Sequence, residues 1–270
     1  MNPALQPLAA NAEAPHPPQR FFIADLHLDG RDTERALHFR KFLEHLAARA
    51  GSGPVNLYIL GDLFEFWYEY RAPIFAIYDA DLRALENAWQ AGVKIFLIFG
   101  NRDFAYGRYV NQRFGATVLG DGQQITLADT RRAWLEHGDL LCTADRSYLR
   151  FRAVIRSGPV RFLFWLMPWS IARRGIERIR NRATADKRSK PAKMLEIDPA
   201  AAERRLAATH SQLLLCGHTH RPQALDLSAG KRLLVLPPWC DTPAGYLDDG
   251  RSLRPFTLEE LLAPPVQKRR

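Results

Sequence analysis

The sequence predicts an α/β protein, layered around a sheet that is covered on both faces. Two observations carry this. Short continuous apolar runs recur, each closing on polar residues with ligand chemistry, and helix-period stretches lie between the early ones. A third observation, a basic and aromatic stretch that breaks the rhythm, predicts an inserted helical segment.

The apolar runs come in order. Phe21 to Ala24 ends at Asp25, and Leu57 to Leu60 ends at Gly61 and Asp62. Lys94 to Phe99 ends at Gly100 and Asn101, Ala133 to Glu136 at His137, Gly138 and Asp139, and Leu213 to Cys216 at Gly217 and His218. Unbroken apolar strands suit a sheet buried on both faces. In such folds reactive side chains collect on the loops just past the strand ends. Helices are expected over Thr33 to Ala50, with Ala36, Phe39, Leu43, Leu46 and Ala47 on one face, and over Asp79 to Ala91. From about Tyr148 to Ile197 the pattern changes, with helices expected near Tyr148–Ser157, Phe162–Trp169 and Ile171–Ala185. The first twenty residues, up to Arg20, are rich in Ala and Pro and read as a disordered leader without signal-peptide character. The span 21–263 is then the globular domain, with a short basic tail over 264–270.

Composition narrows the class. At 270 residues, with 47% hydrophobic and 25% charged residues, the chain is long enough to bury a full core and ordinary for a water-soluble globular protein. No apolar run reaches the roughly 20 residues needed to cross a bilayer. Three cysteines, Cys142, Cys216 and Cys240, in no paired spacing fit reduced thiols better than a disulfide framework. The charge of +9 is concentrated: fourteen Lys or Arg against two acids make +12 between Arg146 and Lys193, which leaves −3 for the rest. The basic character belongs to one segment, which raises the question of what a single basic surface binds.

The polar residues at the strand ends form a mixed oxygen and nitrogen donor set suited to Mn²⁺, Fe²⁺ or Zn²⁺. Asp25 and His27, two apart at a strand end, would point the same way by the pleat of a strand. Asp62 follows a glycine that permits a sharp turn. One Asp can bridge two cations about 3.5–4 Å apart, and His218 and His220, again two apart, can serve one each. Taken singly, each piece also reads as a turn, a cap or an ordinary hydrogen-bonded histidine. Their joint occurrence, in order and each after an apolar strand, points to a dinuclear metal site.

With those residues in place the chain resembles the calcineurin-like metallophosphoesterase superfamily, whose pattern runs Asp-x-His, Gly-Asp, Gly-Asn-His-Asp/Glu, His and Gly-His-x-His. The resemblance spans about Phe22 to Trp239. It implies a β-sheet sandwich flanked by helices. It also implies that Asp25, His27, Asp62 and His220 hold one metal, and that Asp62, Asn101, His137 and His218 hold the other, with Asp62 bridging. Arg102 stands where the superfamily usually has His. Arginine stays protonated, so it is a poor general acid and a good two-pronged phosphate clamp. Asp62, Asn101, Arg102 and His218 are the residues expected at the chemistry.

Several stretches resemble one branch, the UDP-2,3-diacylglucosamine pyrophosphatases of lipid A biosynthesis: Ile23 to Leu28, Tyr58 to Glu65, Gly100 to Phe104, His137 to Asp139 with Leu141 to Thr143, Asp145, Tyr148 and Phe151-Arg152, and Gly217 to Pro222. That resemblance implies hydrolysis of a UDP-linked diacylglucosamine lipid to UMP and the sugar 1-phosphate, two Mn²⁺ per chain, and a peripheral place on the cytoplasmic face of the inner membrane. It implies substrate contacts at Asn101, Arg102, Asp145, Ala183, Lys187, Lys190 and His218. Ala183 stands where many members have serine, so that contact is missing or taken over by Thr184, and Pro238-Trp239-Cys240 departs from the branch's Gly-x-Trp-His. The run Phe162 to Trp169, between Arg161 and Arg173-Arg174, is too short to span a membrane but suits an interfacial or acyl-binding lid against an anionic surface. The rival readings are a phosphatase for a nucleotide or another soluble phosphoester, which needs no such lid, and a nucleic-acid binder, which leaves seven placed ligands unexplained. No nucleic acid and no obligate protein partner are expected.

Overall fold

The computed structural model describes residues 17–67, 69, 73–168, 171, 174–175, 178, 196–240 and 242–263. Its strands are β1 (Gln19–Ile23), β2 (Val55–Ile59), β3 (Lys94–Leu97), β4 (Thr117–Val118), β5 (Gly122–Thr126) and β6 (Arg132–Glu136), then β7 (Leu213–Cys216), β8 (Gln223–Asp226), β9 (Arg232–Val235), β10 (Ala244–Asp248) and β11 (Leu253–Thr257). The helices are α1 (Glu34–Ala50), α2 (Pro73–Ile77), α3 (Asp79–Gln90), α4 (Arg108–Phe114), α5 (Arg146–Ile155), α6 (Gly158–Leu166), α7 (Pro199–Ala208) and α8 (Leu258–Leu262).

The strands form two sheets. One has the order β11-β10-β1-β2-β3-β4 and the other β5-β6-β7-β9-β8. In the first, β1 to β4 run parallel and β10 pairs antiparallel with β1; in the second, β6, β7 and β9 run parallel between antiparallel edges. The pleat then divides each apolar run between two cores. Phe22, Ala24, Tyr58, Leu60 and Ile98 face inward against Ala133, Leu135, Leu213, Leu215 and Leu234 of the other sheet. Their neighbours Phe21, Ile23, Leu57, Ile59, Ile95 and Leu97 face outward onto Phe39, Phe42, Leu46, Leu82 and Leu85 of α1 and α3. On the far side, Leu214, Cys216, Leu233 and Val235 pack on Ala202 and Leu206 of α7. The result is four layers, helix–sheet–sheet–helix, rather than the three of a single covered sheet. The sandwich flanked by helices is the architecture present.

Sequence pattern sets the helix ends. Helix α1 starts after Thr33, with Glu34 in its first turn and Arg49 in its last, each complementing the helix dipole. Asp198 caps α7 by accepting from Ala200 N at 3.0 Å, with Pro199 in the first turn.

Two boundaries differ from expectation. Strand β1 begins at Gln19, inside the expected leader, because Arg20 pairs in register with Asn56 and Asp248 and its guanidinium meets Asp248 at 2.6 Å. The inserted segment opens earlier, as α5 at Arg146, whose N-cap Asp145 accepts from Tyr148 N at 3.1 Å. The chain rejoins the core at Ile197, which is buried, and Thr143 donates to Asp198 at 2.8 Å across the neck. Residues 1–16 and 264–270, and the expected contact positions Ala183, Lys187 and Lys190 with Thr184, lie outside the described residues.

Candidate metal centre

Parallel strands put their C-terminal ends at one edge of the sandwich, and the candidate ligands all lie just beyond those ends. The loops there continue the pairing of the strands: Asp25 N donates to Gly61 O at 3.2 Å, His27 N to Asp62 O at 2.9 Å and Leu28 N to Leu63 O at 2.9 Å. Across the sandwich, His218 N donates to Asp25 Oδ2 at 2.8 Å and Gly217 N to His137 O at 2.8 Å. Gly61, at φ +87°, has no room for a side chain, since a Cβ there would sit 2.6 Å from His137 Nδ1.

Eight described non-glycine residues have positive φ, and five of them are Asp25, His27, Asp62, His218 and His220. This corrects the pleat argument for the pairs spaced by two. Strands β1 and β7 have already ended at Ile23 and Cys216, and each pair is aimed by a left-handed loop. Left-handed φ costs an ordinary residue of order 1 kcal/mol and persists where the surroundings over-determine it, which is common at functional sites.

All seven expected ligands come together, in two overlapping groups. In the first, His27 Nε2 lies 3.1 Å from His220 Nε2, and Asp25 Oδ1 lies 3.5 Å from His220 Nε2 and 4.0 Å from His27 Nε2. In the second, Asn101 Oδ1 lies 2.9 Å from His137 Nε2 and 3.0 Å from His218 Nδ1, which are themselves 3.2 Å apart. Asp62 stands between the groups, its Oδ2 3.8 Å from His27 Nδ1 and 3.7 Å from His137 Nε2. Asp25–His27–His220 and Asp25–Asp62–His137 each gather their ligand atoms within 4.8 Å.

These groups fit a cation. Asp25 is fully buried, yet its Oδ1 has no hydrogen-bond partner. Burial alone would raise its pKa, but His220, His137 and His27 outweigh that and hold the carboxyl below the ordinary range, so it is ionised. His137 Nδ1 meets Leu60 O at 2.9 Å, so the neutral form would turn its Nε2 lone pair inward; burial alone would lower the pKa of this ring, but Asp62 and Asp25 outweigh it and raise it. Burial, then the neighbouring His137, pushes His218 down to about 4, so it offers a lone pair at neutral pH. An ionised, buried carboxylate oxygen facing imidazole nitrogens, with only His220 at 3.5 Å near Oδ1, is costly unless something positive sits there.

Around these ligands stand carboxylates to which sequence reasoning gave no role. Asp103 is fully buried and accepts from the backbone N–H groups of Asp62 and Gly100, each at 3.0 Å, from Phe64 N at 3.2 Å, and from the Tyr106 hydroxyl. Burial, then Asp62, pushes its pKa up to about 6. Asp139 accepts from Arg152 Nε at 2.7 Å and from the Tyr148 hydroxyl, and the Tyr148 ring stacks on His218. Glu65 accepts from Arg102 Nη1 at 2.8 Å, while Arg102's own backbone N–H donates to Asp62 Oδ1 at 2.9 Å. Each of the three lies two or three residues past a ligand, the only signal that could single them out. Trp239 is fully buried against Phe39 and Phe42.

The comparisons agree with this architecture. The calcineurin-like phosphoesterase profile matches residues 21–222, and the chain belongs to that family. The chain is 34% identical over 221 residues to the UDP-2,3-diacylglucosamine hydrolase of Aeromonas hydrophila, covering 81% of this chain and 89% of that protein. It is 35% identical over 208 residues to the enzyme of that name from Klebsiella pneumoniae (77% and 84% covered), and 32% identical over 227 residues to that of Neisseria gonorrhoeae (84% and 92%). The family is one of metal-dependent hydrolases, and the two ligand groups are its candidate dimetal centre.

Proposed function

We propose that this chain hydrolyses the pyrophosphate of UDP-2,3-diacylglucosamine, releasing UMP and 2,3-diacylglucosamine 1-phosphate in lipid A biosynthesis. The observation that carries the reading is the convergence of seven oxygen and nitrogen donors from five strand-end loops, in the order of the family pattern. Asp25, His27, Asp62 and His220 are assigned to one cation and Asp62, Asn101, His137 and His218 to the other. Mn²⁺ is the proposed metal, because carboxylate, amide and imidazole donors without thiolate suit it. When bound, the two cations acidify a water and offset charge on the phosphoryl oxygens.

The chain's own residues do the rest. Arg102 stays charged and offers its remaining N–H groups to phosphate from the rim of the site. Its guanidinium cannot give up a proton to the departing group, and none is required, because a sugar phosphate leaves as a stable oxyanion. His218 and His137 act as lone-pair donors, and Asp103 fixes the turns that carry Asp62 and Asn101. Asp145, at the start of α5, is assigned a substrate contact in addition to its cap; Ala183, Lys187 and Lys190 are assigned further contacts.

A lipid substrate is favoured over a soluble phosphoester by the inserted segment. Of the ten large hydrophobic residues exposed among the described ones, six lie there: Phe151, Val154, Phe162, Leu163, Leu166 and Ile171. Exposed apolar clusters on a strongly basic segment suit acyl chains and an anionic surface. We place the protein peripherally on the cytoplasmic face of the inner membrane; among the described residues no helix is long and apolar enough to cross it. Release of UMP from UDP-2,3-diacylglucosamine, lost with chelator and restored by Mn²⁺, is the expected result. Hydrolysis of simple phosphomonoesters without UMP release would place the chain among phosphatases of soluble esters instead.

A further inference from the structure

His27 and His137 belong to different ligand groups, and their second ring nitrogens are treated differently. His137 Nδ1 has the Leu60 carbonyl at 2.9 Å. His27 Nδ1 is buried without a hydrogen-bond partner, and the nearest carboxylate oxygen recorded beside it is Glu65 Oε2, at 3.4 Å. A ligating histidine usually gives its other N–H to a carboxylate or carbonyl, which fixes the ring and raises its basicity. Asp62 Oδ2, at 3.8 Å, is itself an assigned ligand, so Glu65 is the carboxylate available for that role.

The other oxygen of Glu65 is engaged as well. Oε1 accepts from Arg102 Nη1 at 2.8 Å, and Glu65 is the one carboxylate ion-paired with Arg102 among the described residues. The two side chains are only 26% and 18% exposed, so this pair is screened less than a surface one. Arg102 is therefore held at both ends, through its backbone by Asp62 and through its guanidinium by Glu65. The backbone of Glu65 is fixed too, since its N–H donates to Leu28 O at 2.7 Å beside the His27 loop.

We propose that Glu65 is a positioning residue that couples the two halves of the site, orienting His27 toward its metal with one oxygen and aiming Arg102 at the phosphoryl group with the other. The inference rests on the metal and substrate assignments above. Glu65 is assigned to neither metal and to no phosphoryl contact. Its negative charge is the working feature, because it polarises the His27 ring and holds a guanidinium that has no other carboxylate among the described residues.

The test uses the full-length chain with Glu65→Gln, which keeps size and a hydrogen-bonding oxygen while removing the charge. Calorimetric titration of metal-free protein with Mn²⁺ should show affinity reduced ~10-fold or more, the lower end for loss of a partner to a ligating histidine. With Mn²⁺ at saturation, so that the effect through His27 is masked, steady-state kinetics should show a raised KM, and the double variant E65Q/R102A should lose no more kcat/KM than R102A alone. Wild-type Mn²⁺ affinity in E65Q, or fully multiplicative losses in the double variant, would overturn the proposal. Failure of the wild-type chain to bind Mn²⁺ or to release UMP would instead count against the functional reading, so the two failures are distinguishable.

Discussion

The strand-end loops and the inserted segment lie side by side and are built on opposite principles. At the strand ends, charged groups are buried: Asp25, Asp62, Asp103, His137 and Asp139 are each at most 2% exposed. On the insertion, apolar groups are exposed, with Phe162 at 60% and Leu163 and Leu166 at 57%. Each region carries a cost that a bound partner would remove, a cation in one and a lipid in the other. On the proposed function, the contrast separates chemistry, fixed by the sheets, from choice of substrate, assigned to a segment outside them.

The strongest way to break this division is to remove a buried ligand. Asp62→Ala or His137→Ala should lower kcat on every phosphoester by at least ~10³-fold, since water activation needs both cations. Measured on UDP-2,3-diacylglucosamine and on a small chromogenic diester, the two losses should match. Near-normal turnover in either variant would sink the site assignment. Next in size is Asp103→Ala, which strands three buried backbone donors and a tyrosine hydroxyl. It should destabilise the fold by about 3–5 kcal/mol, read from the urea midpoint, as expected when a buried hydrogen-bonded charge is deleted. A change below about 1 kcal/mol would mean that water or relaxation replaces it.

On the other side of the comparison, Phe162→Ser combined with Leu163→Ser and Leu166→Ser should leave thermal stability near wild type, because these side chains are already exposed. Activity on the lipid substrate and binding to anionic vesicles should fall ~10-fold, in line with apolar area withdrawn from an interface. The small diester should be hydrolysed as before. An equal loss on both substrates would erase the proposed separation.

The same contrast explains what could be read in advance. Strands β1, β2, β3, β6 and β7 are buried on both faces, so their apolar runs stand out. Edge strand β5 is mostly part-exposed and β8 mostly exposed, with sequences such as Gly122-Gln123-Gln124, and neither carries such a signal. Strand β11 contains Pro255, admissible only because β11 is an edge. Pairing of β10 with β1 joins residues more than 200 apart, which no local pattern announces. In the site, the seven ligands are visible because five follow apolar runs directly and His27 and His220 come two residues after Asp25 and His218. Their aim is not, because left-handed φ at Asp25 and His27 is imposed by hydrogen bonds from the next loop. Asp103, Asp139 and Glu65 lie within the stretches that carry the family resemblance, yet a lone carboxylate beyond a turn reads equally well as a cap.

The smallest expected effect probes the seam between the two regions. Thr143 Oγ1 donates to Asp198 Oδ2 at 2.8 Å, closing the neck where the insertion leaves and rejoins the core. This hydrogen bond, first among the causes, helps hold the Asp198 carboxyl below its ordinary pKa. Thr143→Val removes the hydroxyl at nearly constant volume. Asp198 keeps Ala200 N as a donor and remains partly open to water, so the stability loss should be under about 1 kcal/mol. In a chain this size that is a shift of a few degrees or less in Tm. The informative quantity is the ratio of activities: a neck that only joins two independent parts leaves kcat on the small diester unchanged, while a loosened insertion raises KM for the lipid about two- to threefold, the size of a fraction of a kcal/mol. If both substrates respond alike, the insertion helps shape the metal site through Asp139 and Tyr148, and the boundary between chemistry and selection belongs further along α5.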